Sequence, residues 1–346
     1  MTILPSVLRY INLYIKPVKL LILFSLLFVL SVKAQLSEEE FELVSNLKFT
    51  TSIPADLIAS RSLVLYQNTY TKKELEETQS FFQQTGIDAV AYFDISRVLA
   101  GYDPRKAFYT YFKNRGIKFL ILLQKNQSGY QFIFWTFNGT RDLADKNSIA
   151  WKQENTSLTE LLRTIYRFAV SNLKKQNFLI NDLPEIDITV HAFRGRINEN
   201  FTLNVQSFKT AIPRFGIEKD DAELEAYLKD NLPVKFELVD AQVDEDVLLS
   251  KGFRTILRFV HARGTVAKDI LGYDITQQAR SLATNVYVGN EVQIKTIPAD
   301  QYVYKFYFRN IEYGDIFLGQ KWDADTRWQD ALHNHIQALK KDQKIN

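Results

Sequence analysis

The sequence predicts an α/β chain, with α+β as the alternative, made of two similar βαβ-containing domains with mixed sheets. Three observations predict it. The stretch Gly86–Gln124 reads as strand, helix and strand in one run. A comparable strand-and-helix alternation returns after residue 200, consistent with an internal duplication. Runs such as Tyr130–Phe137 and Tyr302–Arg309 add strands that are not separated by helices, so each sheet should be mixed.

The first run is the best punctuated. Ile87–Phe93 and Ile117–Leu123 are short and mostly apolar, as strands covered on both faces should be. Between them, Asp103 is expected as the N-cap of a helix, with Pro104 at its first position and Gly116 as its left-handed stop. Phe108, Tyr111 and Phe112 form its apolar stripe. Strands joined through a helix pair as parallel neighbours with a right-handed crossover.

Before this unit, residues up to Ala59 carry no clear period. Ser62–Tyr66 then reads as a strand and Thr71–Gln84 as a helix that buries Leu75, Phe81 and Phe82. After it, the polar loop Lys125–Gly129 predicts a hairpin into Tyr130–Phe137. Ser157–Lys175 reads as a helix opened by a Ser157/Glu160 capping box, with Leu158, Leu161, Leu162, Ile165, Phe168 and Ala169 on its apolar face. The polar, proline-ended stretch Gln176–Pro184 reads as a linker.

In the second half, Phe201–Val205 is expected as a strand, Asp220–Lys229 as a helix, Val234–Val239 as a strand, Asp244–Ser250 as a short helix and Phe253–Val260 as a strand. Arg115-Gly116-Ile117-Lys118 echoes Lys251-Gly252-Phe253-Arg254, and a Glu-Leu-Glu at Glu74–Glu76 echoes Glu223–Glu225. Trp151 and Trp322 each precede the last helix of their half. The halves part at extra strands, Ala283–Val288, Val292–Ile297 and Tyr302–Arg309, the last with one core face and one partly solvated face. Ile316–Leu318 and a helix from Asp325 to Lys340 close the chain.

The ending Tyr313–Leu332 is similar to the strand, polar turn and closing helix of small α/β accessory domains in bacterial envelope lipoproteins, though it lacks their lipid-bearing cysteine. The likeness implies a fold and nothing more.

The domain plan is a signal peptide over 1–34, a first α/β domain over 35–178, a linker over 179–200 and a second α/β domain with extra antiparallel strands over 201–346. The leader has Arg9, Lys16 and Lys19, an apolar run Leu20–Val32, and a small-residue site that places cleavage between Ala34 and Gln35. The run is too short for a bilayer span, so no stable membrane span is expected once the leader is removed. The expected location is the periplasm or the outside of the cell.

Charge excludes one class of partner. The whole chain carries a net +3, but the leader holds four basic and no acidic residues, leaving thirty-nine Lys and Arg against forty Asp and Glu. That balance argues against nucleic-acid binding. With no cysteine, the chain has no disulfide, thiol nucleophile or thiolate metal ligand.

Catalytic signatures fail in turn. No G-x-G-x-x-G, P-loop or G-x-S-x-G pattern occurs, and Ser171–Lys174 matches S-x-x-K without its companion motifs. His333 and His335 are two apart on a helix, so they point away from each other and are expected to be exposed polar positions. His191 and His261 are expected to be structural histidines in strands. The acidic clusters at Asp220-Asp221, Asp244-Glu245-Asp246 and Asp323/Asp325 precede helices and are expected to cap them. No cofactor and no metal are expected.

Open α/β sheets bind ligands beyond the carboxyl ends of their parallel strands. That rule selects the loop after Ile87–Phe93, with Asp94, Ser96, Arg97, Tyr102 and Asp103 as candidate ligand residues: Arg97 to hold an anion and Tyr102 to wall the pocket. Exposed aromatics on Phe132, Phe134 and Trp135 or on Tyr302–Phe308 would make a sugar platform, although such stripes are usually core. The functional expectation is an exported, non-catalytic protein-interaction or assembly-accessory protein of the cell envelope, its partner another envelope or extracellular protein. Small-ligand or glycan binding is the alternative, and a hydrolase without recognisable motifs comes third.

Overall fold

The computed structural model describes residues 37–177, 184–186, 188–202, 204–275, 280–289 and 291–345. The expected leader and most of the Gln176–Pro184 stretch lie outside these residues. The first half runs α1 Glu38–Ser45, β1 Leu47–Thr50, β2 Arg61–Tyr66, α2 Lys72–Thr85, β3 Asp88–Asp94, α3 Ile95–Val98, α4 Tyr102–Asn114, β4 Ile117–Asn126, β5 Gly129–Thr136, β6 Ser148–Asn155, α5 Leu158–Asn172 and β7 Glu185–Ile186. The second runs β8 Ile197–Asn198, α6 Asn204–Ser207, β9 Thr210–Pro213, α7 Glu218–Asn231, β10 Phe236–Val239, α8 Glu245–Ser250, β11 Thr255–Arg263, α9 Gly264–Ile270, β12 Ser281–Val288, β13 Glu291–Pro298, β14 Tyr302–Asn310, β15 Ile316–Phe317 and α10 Trp328–Gln343.

The architecture is mixed α/β, with two large mixed sheets. The first is ordered β1-β6-β5-β4-β2-β3-β7 and the second β10-β9-β11-β14-β15-β8. In the first, β4, β2 and β3 are parallel, β5 runs antiparallel to β4 and β6, and β1 is parallel to β6. In the second, β11, β9 and β10 are parallel, β14 runs antiparallel to β11 and β15, and β8 is parallel to β15. Strands β1 to β6 therefore match β8, β9, β10, β11, β14 and β15 in chain order, spatial order and direction. The Gly116 and Gly252 echo falls at corresponding places, just before β4 and β11, and both glycines are left-handed.

Helices cover both faces of the first sheet. Leu75 and Phe82 of α2 and Leu158, Leu161, Leu162 and Ile165 of α5 pack on one face with Trp151 and Phe134. Phe108 and Phe112 of α4 pack on the other with Phe93 and Trp135. In the second sheet, α7 and α10 cover one face through Leu224, Leu228, Leu332, Ile336 and Leu339. The opposite face holds Val260, Ala262, Val303 and Tyr307 together with Ala100, a residue of the first half. Ser37–Asn346 accordingly forms one compact unit.

Several local expectations are corrected. The N-cap of α4 is Gly101, with no side-chain cap, and Asp103 lies inside the first turn. Pro104 costs nothing at its third position because the first four N–H groups of a helix lack intrahelical partners. Among its described residues Phe201–Val205 is not a strand: Phe201 and Thr202 are irregular, Asn204–Ser207 is a helical turn, and the next strand of this half is β9. The four-residue β1 and the eight-residue β6 complete one side of the first sheet, and neither was singled out in the sequence. Segment 179–200, expected as a linker, contributes β7 to one sheet and β8 to the other. Both faces of β14 are buried, with Val303, Lys305 and Tyr307 at 1%, 0% and 0% exposure, because the first half and the residues after β15 cover the face expected to meet solvent.

Candidate functional site

The loop selected from sequence does lie at the carboxyl end of β3, and the second half of the chain is packed onto it. Asp94 caps α3 through the Ser96 N–H at 2.9 Å and accepts the Arg263 guanidinium, which also reaches Ser96 Oγ. Arg97 pairs with Asp269 of α9. The Ala100 carbonyl accepts the His261 N–H at 3.1 Å. Gly101 has φ +120°, and a Cβ there would stand 2.7 Å from the Phe259 carbonyl oxygen, so only glycine permits this approach.

Asp103 anchors the centre of the seam. It is 3% exposed and accepts from Arg258 at 2.6 Å, Arg309 at 3.0 Å and the Tyr307 hydroxyl at 2.6 Å. Glu245, which opens α8, takes Arg258 at 3.0 Å, Lys106 at 3.3 Å and Arg309. Burial works to raise the Glu245 carboxyl, but the surrounding Arg258, Arg309 and Lys106 charges hold it below the ordinary value. The same order applies to Arg258: burial disfavours its charge, and Asp103, Tyr307, Glu245 and Tyr102 together more than restore it. Burial first, then the Asp103 charge, pushes the Tyr307 hydroxyl well above its ordinary range, so it stays a donor. Tyr102 lies between two guanidiniums, Arg258 at 3.6 Å and Arg141 at 3.9 Å from the ring centroid. At such distances a ring face has room for one planar cation, so each takes its own face.

All five sequence-selected residues thus come together, each engaged by the chain itself. Sequence reading missed their partners Arg258, Arg263, Arg309, Glu245 and Asp269. One signal was available: an arginine inside the apolar strand Thr-Ile-Leu-Arg-Phe-Val is rarely buried unless paired. Network chemistry here is ion pairing with every carboxylate matched to a cation, and no nucleophile stands beside a free base.

The acidic clusters do more than cap. Asp221 accepts the Phe215 and Gly216 N–H groups of the preceding loop, and Asp244 caps without a side-chain bond. Asp325 pairs with Lys295 at 2.7 Å. Asp323 lies in ion-pair contact with Lys305 at 2.7 Å, off hydrogen-bond alignment, and 3.1 Å from His335 Nδ1. His335 is therefore a core residue at 0% exposure and not a surface one. Burial and then the Lys305 charge lower its imidazole to about 4. His333 contacts the Tyr227 hydroxyl at 2.8 Å. His261 gains an acidic partner, Glu39, that lies far away in sequence, and stacks on Tyr304 at 3.9 Å. His191 is exposed and lies outside any strand. Phe132, Phe134 and Trp135 are all 0% exposed, which removes them as a sugar platform.

Among the described residues, the segment between β11 and β14 has no counterpart in the first half, where β4 leads directly into β5. There β12 and β13 form a separate antiparallel hairpin. Its inner face is fixed by Leu282 and Ile297, by Thr284 bonded to the Ala324 carbonyl at 2.6 Å, and by Lys295 on Asp325. The outer edge of β12 is used: the Asn285 N–H donates to the Trp322 carbonyl at 2.8 Å and the Tyr287 N–H to Asn334 at 3.0 Å. Asn285 and Tyr287 face Ile294 and Val292 across the hairpin. These are non-hydrogen-bonded pairs, so the N–H and C=O groups of Val292 and Ile294 point out from the far edge of β13. No partner meets that edge among the described residues, and Val292 and Ile294 are 41% and 75% exposed.

Among the described residues, no group of three or more His, Asp or Glu is placed to hold a metal ion, and no helix is long and apolar enough to cross a membrane. No protein-family model matches the chain, and no curated protein matches it.

Proposed function

We propose that this chain is an exported, non-catalytic interaction protein that docks another envelope protein by strand addition to β13. The observation that carries the reading is the bare edge of that hairpin: outward N–H and C=O groups at Val292 and Ile294, with Tyr287, Val292 and Ile294 on its outer face. Exposed edges invite an extended segment, and proteins that do not use them block them with bulges, charges or proline. Here the only proline is Pro298 at the strand's end. Export rests on the basic and apolar leader within residues 1–34.

The test is in-cell cross-linking of the full chain followed by affinity purification, in parallel with Ile294→Pro. Proline removes an N–H that points away from β12, so the hairpin keeps its own bonds while strand addition is blocked. The expected result is one stoichiometric partner with the native chain that is lost with I294P. A chain recovered alone, a partner retained by I294P, or cross-links only between copies of the chain would sink the reading.

A further inference from the structure

A cleft opens where β9 and β10 end, beside the middle of β11. It encloses about 670 Å³ of empty space counting its mouth. Ile212, Pro213, Leu224 and Leu257 supply apolar walls. Three phenylalanine rings form a connected surface, with Phe259 5.7 Å from Phe215 and 5.5 Å from Phe306 between centroids. Because both faces of Tyr102 are taken by guanidiniums, it meets the cleft by its edge.

The position is the one that physical chemistry favours for a ligand. Strands β10, β9 and β11 are parallel, and the cleft sits beyond the carboxyl ends of the first two, at Pro213–Phe215 and Ala241. Arg214 and Arg258 line it, and no acidic residue does. Arg258 is 4% exposed and already spends two of its nitrogens on Asp103 and Glu245; its Nε is buried without a partner. Arg214, in contrast, is loosely held: its nearest carboxylate, Glu225, is 3.9 Å away and closer to Lys229 at 2.8 Å. A half-exposed guanidinium at the mouth of an aromatic cleft suits a single carboxylate on a flat apolar body.

From this geometry we infer that the cleft between the ends of β9 and β10 binds a small aromatic monocarboxylate, ring against Phe215, Phe259 and Phe306 and carboxylate on Arg214. The site is separate from the β13 edge and does not depend on it. The probe is 2-naphthoate, titrated into the purified full chain and followed by its own fluorescence, with neutral 2-naphthylmethanol beside it. Saturable binding is expected with a dissociation constant below about 1 mM. Arg214→Gln should weaken naphthoate roughly tenfold or more and leave the alcohol unchanged, since a charge-assisted pair is lost and the apolar contact is kept. Arg214 is 42% exposed, so this variant should fold normally. Ala241→Trp, which fills the mouth, should abolish binding of both probes. Absence of saturable binding, equal naphthoate affinity in R214Q, or full binding by a folded A241W overturns the assignment.

Discussion

Replacing Asp103 by alanine removes the acceptor on which Arg258, Arg309 and Tyr307 converge. All four groups are at least 85% buried, so water cannot take its place. Glu245 remains for the two arginines but has only two oxygens, and Lys106 shares them. Removing one partner of a buried ion pair costs about 3–5 kcal/mol, and a stranded hydroxyl about 1–3 kcal/mol. We expect D103A to lose about 3–5 kcal/mol, a large share of the roughly 5–15 kcal/mol that holds a typical domain together. In urea denaturation followed by tryptophan emission, that is a fall in midpoint of about 1–2.5 M for a slope of roughly 2–3 kcal/mol per molar. Trp135 and Trp151 report on the first half and Trp322 and Trp328 on the second, so one emission signal covers both. The double variant D103A/R258M should be less unstable than the sum of its singles, because no unpaired charge is then left at that position. A loss under about 1 kcal/mol for D103A, or strict additivity in the cycle, would refute the view that the seam is an energetic unit.

Further outcomes follow from the same structure. Gly101→Ala must move the Phe259 carbonyl and should cost clearly more than Gly116→Ala, whose Cβ meets nothing within 4 Å and which pays only the left-handed backbone cost of about 1–2 kcal/mol; equal thermal shifts would contradict the close approach. His335 is held near 4 by burial and the Lys305 charge, while an unfolded imidazole titrates near 6.5. As pH falls, the unfolded chain takes up that proton first, so stability should drop between those two values by about 3 kcal/mol and be whole again only above the upper one. Urea midpoints measured across this window should lose part of their slope in His335→Gln; an unchanged slope would show that this imidazole does not titrate out of register with the unfolded state.

What could be read from sequence was local. Short apolar runs located β2 to β4, the polar loop before it located β5, and helical spacing and punctuation located α2, α4 and α5; the Thr71/Glu74 box and the Ser157 cap mark two of those helix starts. Gly86 and Gly116 stop helices in the left-handed conformation that glycine adopts without strain. The glycine echo at 116 and 252 marked two halves whose six matching strands share one order. These features depend on residues within a turn or two of each other, and such spacings survive in a bare string of letters.

Only the tertiary structure decided what the polar residues do. Asp103 has the composition of a cap, yet its partner Arg258 stands 155 residues along the chain. His335 has the spacing of a surface residue, yet a lysine from β14 and an aspartate after β15 draw it into the core. Phe201 looked like part of a strand because an apolar residue can fill a core from any local conformation, and here it packs on Phe308 from a loop. β1 and β9 have four residues each, and their identity comes from the neighbour that completes their hydrogen bonds. A backbone period is written in the chain's own neighbours; a buried charge is stable only opposite a counter-charge, and the fold alone chooses which distant residue supplies it.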